Sequence, residues 1–278
     1  MAPDRAASYL VDMSTRIARL DSRALIRVSG SDARPFLHNL LTQDIESLAP
    51  GALRFGGLLS PPGRLLFDLF LWGEADAVVL DVAADHREAL LQRLAMYKLR
   101  AQVTIEADER PVFAAWGGDL PAGFTPDPRL PRLGGRACNG TVAADASEGD
   151  WQAHRLSLGV PDPTADALSD KTWPIEANFD LLNGIDFRKG CFVGQETTSR
   201  MKRRGAIKTR MLPIAFDGPP LPFGAEILNG ELRAGQVLSG IGGLAMASLR
   251  LDRLDGELDV DGRRVSIVRP DWMADALG

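Results

Sequence analysis

Cysteine is nearly absent from this chain: two residues, Cys138 and Cys191, occur in 278. A chain of this length can bury a sizeable core without a disulfide staple, so a disulfide-built secreted domain is excluded and a reducing cytoplasm is the expected home. The two thiols lie too far apart to form a CxxC redox or metal pair. They are also too few to supply the four thiolates that usually hold an iron–sulfur cluster, which leaves only a transient or shared role with one. Histidine is equally scarce. His38, His86 and His154 are scattered without ligand spacing, so neither a histidine metal site nor a Ser/His triad is supported, and no metal is expected. Long apolar runs are missing too: Met1 to Leu20 is broken by arginines, which argues against a signal peptide, and no segment is long enough to span a bilayer. The net charge of -5 argues against nucleic acid as the main partner, and any anion site has to be local.

What is present has an ordinary globular balance, 45% hydrophobic and 25% charged, in a chain long enough for two or three packed units. Ala24 to Val28 reads as a strand, and Gly30-Ser31-Asp32 offers turn and N-cap chemistry for a helix carrying Phe36, Leu37, Leu40 and Leu41. Leu65 to Trp72 reads as a largely buried strand with one internal charge, Asp68. A helix is expected over Asp85 to Leu99, where Leu90, Leu94 and Tyr97 recur at helical spacing. Gly117 to Gly140 is rich in Pro and Gly and reads as a join or peripheral hairpin, followed by a short helix near Trp151 to Leu158. From Lys208 onward short apolar runs alternate with turns, the pattern of a small all-β barrel or sandwich. The expected division is therefore 1–206, an α/β region of two lobes, and 207–278, a small C-terminal β unit.

The stretch Lys189-Gly190-Cys191-Phe192-Val193-Gly194-Gln195-Glu196 carries the strongest chemical signal. Ile185-Asp186-Phe187 looks like a strand end and Gln195 to Arg203 a helix, which places Cys191 in a strand-to-helix loop. A helix N-terminus, with Arg188 and Lys189 nearby, favours a thiolate, and Gly190 and Gly194 leave the backbone open to close approach. The bland reading is a small buried hydrophobe. Cys138 has no comparable setting and reads as incidental.

These eight residues, with Arg200 and Arg204-Gly205, resemble the K-G-C-[YF]-x-G-Q-E signature of YgfZ-type proteins. Ile26 to Ala33 with Phe36-Leu37 and Thr42-Gln43-Asp44 resemble that family's opening, and Gly63-Arg64 with Asp68 its following strand, although Pro62 stands where Gln is expected. Arg155 to Gly159 and Pro174-Ile175-Glu176-Ala177-Asn178 are similar to a segment shared with the glycine cleavage T-protein. The resemblance implies an α+β, T-protein-like fold: two intertwined α/β lobes around a central folate cavity, plus a small C-terminal β-barrel. It implies tetrahydrofolate or a related folate as cofactor, and transient iron–sulfur client or assembly proteins as partners. Cys191 would be the working thiol, with Asp68, Glu176, Asn178, Lys189, Gly190, Gly194, Gln195, Glu196 and Arg200 as candidates for the binding site. The alternative is a folate-dependent aminomethyltransferase.

Set beside that resemblance, several candidates keep more than one reading. Asp68 is either a pocket residue that accepts from a pterin or a structural hydrogen-bond acceptor. Glu176 equally belongs to a helix-cap region. Arg200, Lys202, Arg203, Arg204, Lys208 and Arg210 would hold a folate tail, dock an acidic partner, or simply complement a helix dipole.

Overall fold

The computed structural model describes residues 14–277 except 139, 141, 168, 169 and 206. Residues 1–13, part of the stretch read for a leader, and Ala206, at the expected domain boundary, lie outside the described residues. The chain opens with β1 (Arg16–Arg19), β2 (Arg23–Ser29) and α1 (Ala33–Leu40), then runs through β3 (Leu53–Leu59), β4 (Leu65–Gly73), β5 (Ala77–Ala83), α2 (Arg87–Lys98) and β6 (Thr104–Asp108). Five of these strands form an antiparallel sheet in the order β3-β4-β5-β2-β6. Successive side chains on a strand point to opposite faces. Leu69, Leu71, Val78 and Leu80 therefore pack with Leu37, Leu40, Leu90 and Leu94 of the two helices, while Phe70, Trp72 and Val79 face a second core. With both faces covered, β4 and β5 carry no polar alternation, and their two carboxylates, Asp68 and Asp81, sit on the face away from the helices.

Asp32 occupies the N-cap position of α1, but its side chain does not cap the helix. Its carboxylate instead accepts from the Gln102 backbone N–H at 2.8 Å, tying the helix start to the segment ahead of β6.

A second antiparallel sheet, in the order β1-β7-β9-β8, is built from β1, β7 (Phe113–Trp116), β8 (Thr125–Pro126) and β9 (Gly135–Ala137). The Pro/Gly-rich stretch thus supplies two short strands of this sheet. Because β1 precedes β2 yet pairs with β7, the described residues begin in the second lobe, build the first and return, which intertwines the two. Then come α3 (Glu148–Ser157), started by a Ser147/Asp150 capping box, the single-turn α4 (Pro163–Asp166), and α5 (Gln195–Arg204).

The remainder, β10 (Thr209–Phe216), β11 (Glu226–Asn229), β12 (Leu232–Ile241), β13 (Leu244–Arg250), β14 (Leu258–Val260) and β15 (Arg263–Ile267), closes into a barrel ordered β10-β13-β12-β11-β14-β15. Closure leaves no unpaired edge, and Leu212, Ile214, Val237, Ala247 and Leu249 fill the interior. A final turn of helix, α6 (Ala274–Leu277), follows. Among the described residues no helix is long and apolar enough to cross a membrane.

Candidate functional site

The two carboxylates on the inner sheet face organise a buried ion network. Asp81 accepts from Arg23 Nε and from Arg136 Nη2, each at 2.6 Å. Burial pushes its carboxyl up, but Arg136 and Arg23 outweigh burial and hold it below the usual carboxylate range. Asp68 accepts from Arg23 Nη1 at 3.0 Å and from Thr164 Oγ1 at 2.9 Å. The Arg136 guanidinium lies 3.8 Å above the Phe70 ring, and Arg129 lies 4.7 Å from the same ring.

Arg23 and Thr164 of this network also line a cavity of about 400 Å³, together with Gln152, Arg155 and Asp162, and with Ser239 contributed by the barrel. A neighbouring recess of about 20 Å³ is lined by Asp68, Arg129 and Arg136, and it shares Arg23, Arg155 and Asp162 with the main cavity. Burial pushes Asp162 up, yet Arg155 and Arg23 hold it below the usual range. Asp166 accepts from both the backbone N–H and the hydroxyl of Ser239, which fastens β12 to α4 and makes the barrel a wall of the cavity.

Of the carboxylates and amides singled out in the sequence, only Asp68 reaches this cavity, where both of its oxygens are already engaged. Pro174-Ile175-Glu176 lies in a run of turns, not at a helix start. Glu176 accepts from the Trp173 N–H at 3.0 Å, and burial raises its carboxyl. Asn178 is fully buried: its amide donates to Met211 O at 2.8 Å and accepts from Arg210 at 3.1 Å, joining the lobes to β10. Neither residue lines the cavity.

The Cys191 loop forms a separate site. No strand precedes it: Asp186 makes a single backbone bond to Thr42 O, and its carboxylate then accepts from the N–H groups of Arg188 and Lys189 to fold a turn. Cys191 is exposed and lies three residues before Gly194, the left-handed N-cap of α5. Its flanks are fixed. The Lys189 ammonium donates to His38 O and Leu41 O at the end of α1, and burial pushes it down to about 8. Phe192 is buried in the core and exchanges hydrogen bonds with Gln195. Gly194 packs on Ser60 and Gly63 of the β3–β4 turn, whereas Gly190, Glu196 and Arg200 face solvent. Cys138 is buried, and burial pushes its thiol up to about 12.

The cavity walls at Arg23, Asp162 and Thr164 escaped the sequence reading, and Arg155 entered it only as the start of a segment similar to the T-protein. Asp162-Pro163 is a local helix-start signal that marks α4, but the arginine pairs join residues with no sequence spacing in common.

The class of protein is set by architecture. The chain superposes on the crystal structure of glycine cleavage system aminomethyltransferase T from Bartonella henselae with a TM-score of 0.73 over 93% of this chain and 86% of that one, at 18% identity. The fold is therefore that of the glycine cleavage T-protein, with a closed six-stranded C-terminal barrel. The family is narrower. The family model described as "CAF17, C-terminal beta-barrel domain" matches residues 208–275. "Iron-sulfur cluster assembly factor IBA57, mitochondrial" of Homo sapiens is 31% identical, covering 91% of this chain and 84% of its own. The IBA57 homologue of Phaeosphaeria nodorum is 30% identical over 98% of this chain and 85% of its own. This chain belongs to the IBA57 family of iron–sulfur cluster assembly factors. Both relatives are mitochondrial by description, which overturns the cytoplasmic home expected from the cysteine count. Scarce cysteine argues only against an oxidising compartment and does not discriminate among the others.

Proposed function

We propose that this chain assists iron–sulfur protein maturation or repair through the Cys191 thiol, with tetrahydrofolate or a related folate held in the central cavity. The observation that carries the reading is the contrast between the cysteines: one buried, the other exposed on a loop pinned at both flanks. That loop also resembles the YgfZ signature residue for residue from Lys189 to Glu196. One thiol supplies one ligand of the four a cluster usually takes, so the rest must come from a transient client or assembly partner. In this reading Lys189, Gly194 and Gln195 hold the loop in place, while Gly190, Glu196 and Arg200 border the thiol.

The cavity residues suit a folate. Its volume lies within the usual range for small-molecule sites, and Arg136 Nε is buried in the recess without a hydrogen-bond partner. Asp162 and Asp68, through the second lone pair left on each engaged carboxylate oxygen, would accept from the amino and ring N–H groups of a pterin, and Arg155 or Arg23 would take a carboxylate. Bound there, tetrahydrofolate supplies a reduced, electron-rich ring able to carry a one-carbon unit. Functionally the chain divides near residue 206, into the lobes that carry both sites and a barrel that walls one of them.

In cells lacking the protein, Cys191→Ser should fail to restore iron–sulfur enzyme activity while melting at the wild-type temperature; restored activity would sink the thiol role. Calorimetric titration with tetrahydrofolate should show binding by both wild type and Cys191→Ala. Silence from the wild type removes the folate half alone.

A further inference from the structure

We infer that the outer face of α5, with the turn that leads into it, is a docking surface for an acidic protein whose cargo is brought to Cys191. The inference rests on the reading of Cys191 as the working group. The observation behind it is charge segregation. Residues 186–210 hold eight cations against two carboxylates, Asp186 and Glu196, in a chain whose total is -5. Two of those cations are spent inside the fold, Arg210 on Asp180 and Lys189 on the end of α1. The other six, Arg188, Arg200, Lys202, Arg203, Arg204 and Lys208, are exposed, and among the described residues only Lys202 makes an ion pair, to Asp180 at 3.4 Å.

Complementing a helix dipole does not account for this arrangement. Arg200, Arg203 and Arg204 stand at i, i+3 and i+4, a spacing at which like charges repel, and one or two cations in the last turn already satisfy the C-terminus. The opposite side of α5 is spoken for: Thr198 is buried and Met201 packs on the core. The helix therefore turns a row of uncompensated cations outward, from Arg200, about 9 Å along the axis from Gly194, to Arg204 at about 15 Å, while Arg188 stands in the thiol loop itself. Phe187, partly exposed with the Lys202 ammonium 5.6 Å from its ring, gives the patch an aromatic anchor of the kind that concentrates binding energy. Strong negative charge over the rest of the molecule repels a nucleic acid or an anionic bilayer, which extend well beyond the patch, and tolerates a compact acidic protein that fits within it.

The test uses poly-L-glutamate as the acidic probe, with a DNA duplex and phosphatidylserine vesicles as the competing polyanions. Wild-type protein should retain polyglutamate in a salt-dependent way, Arg203→Glu/Arg204→Glu/Lys208→Glu should bind about tenfold more weakly or worse, and Cys191→Ser should bind like wild type. In cells the triple variant should lower iron–sulfur enzyme activity although iodoacetamide alkylates its Cys191 at the wild-type rate. Unchanged polyglutamate binding by the triple variant, tighter binding of duplex or vesicles by the wild type, or full cellular activity of the triple variant each overturns the inference. If Cys191→Ser proves active in cells while the triple variant has lost polyglutamate, the thiol role falls and the docking surface stands.

Discussion

Gly63 and Gly194 face each other with no room for a side chain on either. A Cβ on Gly63 would come 2.8 Å from Gly194 O, and one on Gly194 would come 2.8 Å from Gly63 Cα and 2.7 Å from Ser60 O. Both glycines also hold left-handed backbone, at φ of 98° and 80°. The contact seats the Cys191 loop on the β3–β4 turn. Gly194→Ala should therefore lose about 2–4 kcal/mol in urea unfolding, from left-handed strain plus overpacking. Gly190, with nothing near its Cβ direction, should accept Ala within about 0.5 kcal/mol.

The cysteines should separate cleanly by alkylation. In native protein at neutral pH a maleimide should label Cys191 to completion and leave Cys138 untouched until denaturant is added, because Cys138 is both buried and pushed up to about 12. Mass spectrometry of digested protein reads the outcome. Labelling of Cys138 first would reverse the assignment of the working thiol.

The sequence exposed those features whose cause is local. Leu90, Leu94 and Tyr97 mark α2 by spacing alone, and short runs cut by turns mark the barrel strands, because amphipathic period and turn chemistry act over a few residues. It misled where one residue has two possible partners. Asp32 has N-cap chemistry but spends it on Gln102, and Ile185 to Phe187 is apolar enough for a strand but finds only one backbone partner, on Thr42. Asn178 entered as a binding candidate only through the segment that resembles the T-protein, and no local pattern shows that its amide bonds across to β10. The cavity was illegible for a related reason: Arg23, Asp81 and Arg136 meet only because two strands of one sheet and one of another converge there.

Asn178 holds the lobes to the barrel through Met211 and Arg210, and it sits in the left-handed conformation that Asn tolerates better than most residues. Asn178→Ala should cost about 2–3 kcal/mol by leaving Met211 O and part of Arg210 unsatisfied. Its tetrahydrofolate titration should match the wild type, since Asn178 does not line the cavity. Loss of folate binding with normal stability would restore Asn178 as a ligand.

Asp81 offers the sharpest electrostatic test. Arg136 has no other ion-pair partner among the described residues, and Arg23 divides its charge between Asp81 and Asp68. Asp81→Asn keeps the shape but leaves the buried Arg136 charge uncompensated, so it should cost about 3–5 kcal/mol at pH 7. The sign of the pH dependence follows from the lowered carboxyl. Stabilisation by ionised Asp81 is complete above the unfolded carboxylate value of about 4 and is lost as pH falls through the lower folded value. Urea midpoints of wild type and Asp81→Asn should therefore stay apart at neutral pH and converge below about pH 4. Adding Arg136→Met removes the stranded charge while keeping a side chain over Phe70. The double variant should accordingly lose less than the sum of the single losses, by a coupling of about 1–3 kcal/mol. Additive losses at all pH values would mean that the pair contributes packing and no charge interaction.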